Sequence, residues 1–180
     1  ISALTAWQGL IDRVHLSEGQ RVLIHGAAGG VGSFAVQLAH HKKAHVIATA
    51  SAANADLIKA LGAAEVIDYR TTPFETVVKA VDVVFDTVGG DTRDRSWDVL
   101  RKGGQLVTIA ADAERITQPR VRDAFFIVEP TRVQLIEISR LIDAGVMKPV
   151  VGTVFPMEQF REAYEQKPAR GKNVLRLAEV

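Results

Sequence analysis

A chain of 180 residues with 22 Lys and Arg against 21 Asp and Glu can bury one good core, and its balanced charge gives no basis for holding nucleic acid or an anionic membrane. The absence of cysteine excludes a disulfide framework and any thiolate metal site in this stretch, and is compatible with a cytoplasmic location. Neither a membrane-spanning apolar run nor a basic-then-apolar leader is present.

The chain opens on Ile1 already inside a helical pattern of Leu4, Trp7, Leu10, Ile11 and Val14, so a piece of a longer protein is expected. Val22, Leu23 and Ile24 then form a short apolar run suited to a strand buried on both faces. After them come Gly26, Gly29, Gly30 and Gly32, and a helical period of Val31, Phe34, Ala35, Leu38 and Ala39. Strand, glycine turn and helix in that order is the context of a dinucleotide site. The glycines allow the turn and a close approach of phosphate to main chain, and the helix N-terminus offers unpaired N–H groups. The match to G-x-G-x-x-G is imperfect, because Ala27 stands at the first glycine position and Gly26 lies one residue earlier. Ser33, in place of a Lys-Ser/Thr pair, argues against a P-loop.

Four more strands are expected at 45–49, 65–69, 81–86 and 105–110, separated by helices near 54–61, 73–79 and 91–100. That alternation predicts an α/β fold, a doubly wound parallel sheet with helices on both faces. Thr72, Pro73 and Glu75 read as N-cap, first helical residue and capping-box partner, and Thr131 with Gln134 as a second capping box. Residues 111–122 read as a loop, 125–129 as a sixth strand, and 131–144 as a helix closed by Gly145. From Val150 a short extended run, a helix at 158–166 and a strand at 173–177 are expected to pack outside the main sheet.

Ligands of such sheets lie across the C-terminal ends of the strands. About 20 residues beyond the glycines, where an acid would hold the ribose 2′-OH of NAD, stand Thr49, Ala50 and Ser51. Without that carboxylate a 2′-phosphate meets no repulsion; Ser51 and Asn54 can donate to it, and Tyr69 and Arg70 can flank it. The expected cofactor is therefore NADP. Thr87 is placed to hydrogen-bond ribose, and the small residues Thr108, Ile109 and Ala110 to admit a nicotinamide. An S-adenosylmethionine-dependent methyltransferase also carries a glycine loop, but such enzymes usually have an acid after the second strand. His40, His41 and His45 share no face and read as surface residues, and His25 as a packed histidine. The charged run Asp91, Arg93, Asp94, Arg95 reads as a solvated helix start, and Trp7 and Trp97 as core. Tyr164 lacks a lysine four residues on, where Pro168 stands, so the short-chain reductase pattern is absent.

The fragments LTAWQGL (4–10), GQRVLIHGAAGGVGSFAVQLA (19–39), LGAAEVIDYR (61–70), VVFDTVGGDT (83–92), LRKGGQLVTIA (100–110) and GKNVLRL (171–177), taken in order, resemble the medium-chain dehydrogenase/reductase superfamily, especially its zinc-independent quinone oxidoreductase branch. The resemblance implies a Rossmann domain at 1–150 that binds NADPH, and a tail at 151–180 that would complete a GroES-like catalytic domain lying outside this chain. It implies cofactor contacts at Gly29, Gly30, Val31, Gly32, Ser51, Tyr69, Thr87, Ala110, Phe126, Ile127, Val128 and Lys172, with Thr5 near the nicotinamide. No catalytic acid or base and no metal ligand is assigned in this chain, since only Ile1, Ser2 and Ala3 stand where zinc-dependent relatives carry a cysteine. The implied activity is hydride transfer from NADPH to quinones or α,β-unsaturated carbonyls, often by a homodimer. The alternatives are a zinc-type alcohol dehydrogenase and a non-enzymatic NADPH-binding module.

Overall fold

The computed structural model describes residues 1–168 and 170–178. Five strands, β1 (Arg21–Ile24), β2 (His45–Ala50), β3 (Glu65–Asp68), β4 (Val81–Asp86) and β5 (Leu100–Thr108), lie in the order β3-β2-β1-β4-β5. Every neighbouring pair is parallel. The chain leaves β1 in one direction to lay down β2 and β3, then returns to add β4 on the other side. The crevice at that reversal opens between the C-terminal ends of β1 and β4, where the topology places a ligand.

Alternation along each strand sends side chains into two separate cores. Val22 and Ile24 join one cluster and Leu23 the other; likewise Val46, Ala48 and Ala50 oppose Ile47, and Val83 and Phe85 oppose Val84. The first cluster is covered by α1 (Ser2–Trp7) with the π-helical turn Gln8–Arg13 that continues it, and by α2 (Gly30–His41) and α3 (Ala55–Ala60). It is also covered by α7 (Arg132–Asp143). The second is covered by α4 (Phe74–Val77), by the chain following α5 (Gly90–Ser96), and by α6 (Pro119–Ala124). Each fully buried Leu, Ile or Val contributes roughly 1.5–3 kcal/mol of transfer free energy, so strand runs apolar on both faces are what this arrangement needs.

The expected sixth strand at 125–129 does not form. Only Phe125 bridges Thr108, with the Phe126 N–H donating to the Thr108 carbonyl at 3.3 Å. The Phe125 N–H is spent on the Val121 carbonyl at 3.0 Å, and at Glu129 the main chain is taken by Gln8, whose Nε2 donates to the Glu129 carbonyl at 2.7 Å and whose Oε1 accepts the Glu129 N–H at 3.0 Å. That one side chain satisfies main chain that a ladder would otherwise pair, and Pro130 follows directly. Residues 111–122 are not a plain loop either: a 3-10 turn spans Ala111–Arg115, and α6 starts with Pro119 in its first turn. Neither capping box closes through side chains. Glu75 pairs with Arg95 at 2.6 Å, and Gln134 reaches Gln8. The fifth strand starts earlier than expected and breaks register between Val81 and Val83. The tail forms β6 (Val151–Pro156), α8 (Phe160–Glu165) and β7 (Lys172–Arg176), with β6 and β7 paired in a sheet of their own.

Candidate functional site

The glycine turn takes its shape from three contacts of its own backbone. Gly26 has φ +69, a left-handed conformation that disfavours other residues, and a Cβ there would lie 2.3 Å from Thr87 Oγ1. The Gly29 N–H closes the turn on the Gly26 carbonyl at 3.0 Å, and the Ala27 N–H reaches across to the Thr49 carbonyl at 3.2 Å. A Cβ on Gly32 would fall 2.2 Å from the Gly26 carbonyl oxygen, so α2 can press against the turn only with glycine at this position. A Cβ on Gly30 would meet Lys172 Cε at 2.5 Å and Ser2 Oγ at 3.2 Å. The expected residues Gly29, Gly30, Val31, Gly32 and Lys172 are thus gathered at the N-terminus of α2, and this cradle of N–H groups, with a lysine over it, fits a pyrophosphate.

Beyond the turn a cavity of about 560 Å³ runs past the ends of β2 and β3, lined among others by Ser51, Asn54, Tyr69, Arg70 and Thr87. Asn54 Nδ2 donates to Ser51 Oγ at 3.2 Å, and among the described residues no Asp or Glu lines the cavity. A second cavity of about 540 Å³ adjoins it, sharing Gly26, Thr49, Tyr69, Arg70 and Val88 and adding the apolar walls Pro73 and Phe74. Volumes of this size suit a nucleotide.

Behind the crevice His25 is buried, with Nδ1 3.0 Å from Thr49 Oγ1 and Nε2 2.9 Å from Ser96 Oγ. Burial lowers its pKa to about 4, against the attraction of the Asp86 carboxylate, so it is a neutral packed histidine, as expected. Thr87 donates to the His25 carbonyl at 2.8 Å; its hydrogen serves the turn, which leaves its oxygen able to act only as an acceptor. Asp86 is fully buried and accepts from the N–H groups of Val88 and Gly89 and from Thr108 Oγ1.

The charged run after Gly90 is not simply solvated. Arg93 is 2% exposed, donating to Asp112 at 2.8 Å and to Asp94 at 2.9 Å. Burial raises the Asp112 carboxyl, but the Gly90 N–H and Arg93 outweigh it and hold the group below its ordinary value. This ion pair ties the loop after β4 to the loop after β5, where Ala110 sits buried. Thr5 is buried in α1 and donates to the Ile1 carbonyl at 3.0 Å. Phe126 is buried against Gly9 and under Arg13, Ile127 is exposed, and Val128 packs at the core edge.

Sequence reasoning missed Ser2, Gln8, the Arg93–Asp112 pair, and Lys167, Pro168 and Arg170, which line the 560 Å³ cavity from the tail. Nothing in the local pattern brings Lys167, Pro168 and Arg170 to the glycine turn, because the approach is made through the sheet of β6 and β7. Among the described residues, no cluster of three or more His, Cys, Asp or Glu is placed to hold a metal ion, and no helix is long and apolar enough to cross a membrane.

A family model described as zinc-binding dehydrogenase matches residues 61–175. A probable zinc-binding oxidoreductase, mitochondrial, from Arthroderma benhamiae is 33% identical over 98% of this chain and 60% of its own length. Among solved structures, the quinone oxidoreductase from Coxiella burnetii superposes with TM-score 0.84 at 30% identity, covering 98% of this chain and 58% of that one. The CurK enoyl reductase gives 0.85 at 28% identity, over 99% and 60%. The chain thus spans about 60% of the length of these relatives. The parallel sheet, the glycine turn at its reversal point and the matches along nearly the whole sequence lead to one assignment: the chain belongs to the zinc-binding dehydrogenase family of the medium-chain dehydrogenase/reductase superfamily, as its Rossmann-type region.

Proposed function

We propose that this chain is the cofactor-binding part of an NADPH-dependent oxidoreductase that reduces quinones or α,β-unsaturated carbonyls. The observation that carries the reading is the cleft itself, in which a glycine cradle at the head of α2 leads into a cavity with cationic and amide side chains and, among the described residues, no acid. Ser51, Asn54 and Arg70 are set to receive a 2′-phosphate that a carboxylate at that position would repel. The nicotinamide supplies the hydride when bound. The chain's own work is to hold it: Gly29–Gly32 and Lys172 at the pyrophosphate, Tyr69 beside the adenosine, Thr87 at ribose, and Ala110 and Thr5 toward the ring. Phe126, Ile127 and Val128 close the far end. No residue here is assigned a proton-transfer role.

The substrate class rests on the two structural relatives, a quinone oxidoreductase and an enoyl reductase. The outer side chains of β6 and β7, such as Val151, Val154, Val174 and Leu175, suit a surface completed by a catalytic domain, and a homodimer is the proposed assembly. The cysteine-free sequence suits the cytoplasm while one relative is mitochondrial; fractionation of expressing cells decides between them. Calorimetric titration is the test of the cofactor reading, with NADPH expected to bind at least about tenfold more tightly than NADH, a difference of about 1.4 kcal/mol. Equal or reversed affinities would overturn the NADPH preference. Tight binding by the full-length protein without NADPH oxidation by any quinone or enone would favour the non-enzymatic module.

A further inference from the structure

The strands β4 and β5 end side by side, and the loops that leave them are tied together twice. The inner tie is Asp86, whose buried carboxylate accepts Thr108 Oγ1 at 2.7 Å and the N–H groups of Val88 and Gly89 at 3.0 and 3.1 Å, while its carbonyl accepts the Ile109 N–H at 3.1 Å. The outer tie is Asp112, whose carboxylate reaches back to accept the Gly90 N–H at 3.1 Å and Arg93 Nη1 at 2.8 Å. Between the two ties the loops touch: a Cβ on Gly89, which has φ +81, would lie 2.3 Å from Asp112 Oδ1 and 2.6 Å from Ala110 Cβ.

Arg93 makes the outer tie possible. Its side chain is 2% exposed, although the Asp94 and Asp112 side chains that hold it are 56% and 46% exposed. A guanidinium withdrawn from water for two solvated carboxylates adds little stability over an apolar side chain of similar volume. What it does add is direction, because its rigid fork grips Asp94 on α5 and Asp112, 19 residues on, at once. The effect reaches the crevice by two routes. Through Gly89 and Gly90 the tie sets Thr87, whose hydroxyl holds the His25 carbonyl at 2.8 Å and backs Gly26. Through Asp112 it sets Ala110, whose carbonyl accepts the Ala113 N–H at 3.0 Å. One ion pair therefore governs the gap between Thr87 on the glycine-turn side of the crevice and Ala110 on the β5 side.

We propose that Arg93 and Asp112 are positioning residues, which fix the gap between the loops after β4 and β5 and so orient the nicotinamide ring and its ribose, leaving the adenosine half of the cofactor to other residues. This role rests on the nicotinamide-cofactor part of the reading above and is independent of the preference for NADPH. The test uses the full-length protein with Asp112→Ala, Arg93→Met, the double variant, and Asp112→Asn, which keeps an oxygen for both donors. NADPH, NADH, 2′,5′-ADP and 5′-AMP are titrated into each, and the fluorescence emission of the bound reduced nicotinamide is recorded as a direct report on the ring. Thermal melting sets a temperature at which every variant is folded.

Asp112→Ala and Arg93→Met are each expected to weaken NADPH and NADH by about tenfold, and 2′,5′-ADP and 5′-AMP by less than about twofold. The double variant is expected to lose no more than either single one, because both act through one contact, and Asp112→Asn to stay within about threefold of the wild type. In the two single variants the emission of the bound nicotinamide moves toward that of free cofactor. A merely structural pair would lower the melting temperature and leave the affinities and emission of the folded protein unchanged, which would overturn the positioning role alone. Equal losses for the dinucleotides and the adenosine fragments would overturn it too, since the pair would then act on the whole cleft. A wild type that binds neither NADPH nor NADH would overturn the cofactor reading and the positioning role together. Where NADH is the tighter ligand only the NADPH preference falls, and the same variants are judged on NADH and 5′-AMP.

Discussion

Gly32→Ala is expected to damage the fold and the site together, whereas Gly30→Ala, two residues away in the same helix turn, is expected to spare the fold. The added Cβ at position 32 would stand 2.2 Å from the Gly26 carbonyl oxygen, 2.7 Å from Ala27 Cα and 2.8 Å from the Gly26 carbonyl carbon. All three are main-chain atoms of the turn and cannot rotate away. The turn cannot retreat either, since Gly26 is backed by Thr87 Oγ1 and its preceding carbonyl is held by the Thr87 hydroxyl. The N-terminus of α2 must therefore move outward by about 1 Å to recover van der Waals contact, an overpacking cost of about 1–3 kcal/mol. The displaced N–H groups would lose at least one charge-assisted contact to phosphate, weakening dinucleotide binding by roughly tenfold or more. At position 30 the Cβ meets Lys172 Cε and Ser2 Oγ, the movable ends of two side chains, so less than about 1 kcal/mol is expected. Urea denaturation of both variants measures the stability difference, and NADPH titration of Gly32→Ala measures the site. Equal stability losses in the two variants, or a Gly32→Ala protein as stable and as tight-binding as the wild type, would refute the packing argument.

Other expectations follow from the polar groups around the crevice. The pKa of His25 is lowered by burial from 6.5 to about 4, so as pH falls the unfolded chain takes up the proton first. The stabilisation is complete above about pH 7 and drains away toward pH 4, with about 2 kcal/mol lost by pH 5. Urea midpoints at pH 7.5 and 5 should show His25→Gln losing less than the wild type across that interval, and identical slopes would contradict a neutral buried imidazole. Asp112→Ala leaves the 2%-exposed Arg93 guanidinium with Asp94 alone and is expected to cost about 1–2 kcal/mol. Arg93→Met, which removes the buried charge itself, is expected to cost less. The reverse order in denaturation midpoints would mean that the pair's worth lies in packing of the arginine stem. Gln8→Ala, which removes the partner of the Glu129 N–H and leaves the Glu129 carbonyl with the Thr131 hydroxyl at 3.4 Å, is expected to destabilise by about 1–3 kcal/mol and to speed hydrogen exchange at the Glu129 N–H. Unchanged exchange there would show that another group holds this segment.

What could be read from the sequence was what local chemistry decides. The apolar runs at Val22–Ile24 and Val81–Asp86 have one stable use, as strands buried on both faces, and the glycine turn between β1 and α2 announces itself by residue type. The acid-free stretch at Thr49–Ser51 also lies where the topology must put it. The failures all involve partners distant in the chain. Phe125, Phe126, Ile127 and Val128 have strand-forming side chains, yet the Phe125 N–H is spent on Val121 at the end of α6, and just beyond them the Glu129 main chain is taken by a glutamine more than a hundred residues earlier. Arg93 looked solvated because its neighbours are charged, and only the loop after β5 brings Asp112 over it. The approach of Lys167 and Arg170 to the cavity is the extreme case, since both lie in a polar stretch whose place depends on Gly171 reaching Ala28.

The imperfect glycine motif is resolved by separating the jobs its glycines do. A dinucleotide turn needs one residue that turns tightly, one that lets phosphate approach the main chain, and one that lets helix and strand pack closely. Gly26, not residue 27, does the first, with φ +69. Ala27 has no positive φ, is wholly buried in the first core cluster, and donates its N–H to β2, so a methyl group there adds packing and costs nothing in backbone strain. Gly29 and Gly30 stand at the head of α2, where the second job would be done, and Gly32 does the third, against the Gly26 carbonyl itself. Because the residue that turns is also the residue on which the helix packs, the turn tolerates an alanine at the first motif position but leaves Gly26 and Gly32 dependent on each other. Gly171 adds a third dependence, since its N–H donates to the same turn at the Ala28 carbonyl. Any displacement of the turn therefore moves the head of α2 together with the tail held to it at Gly171, so the two ends of this chain are joined mechanically at one turn.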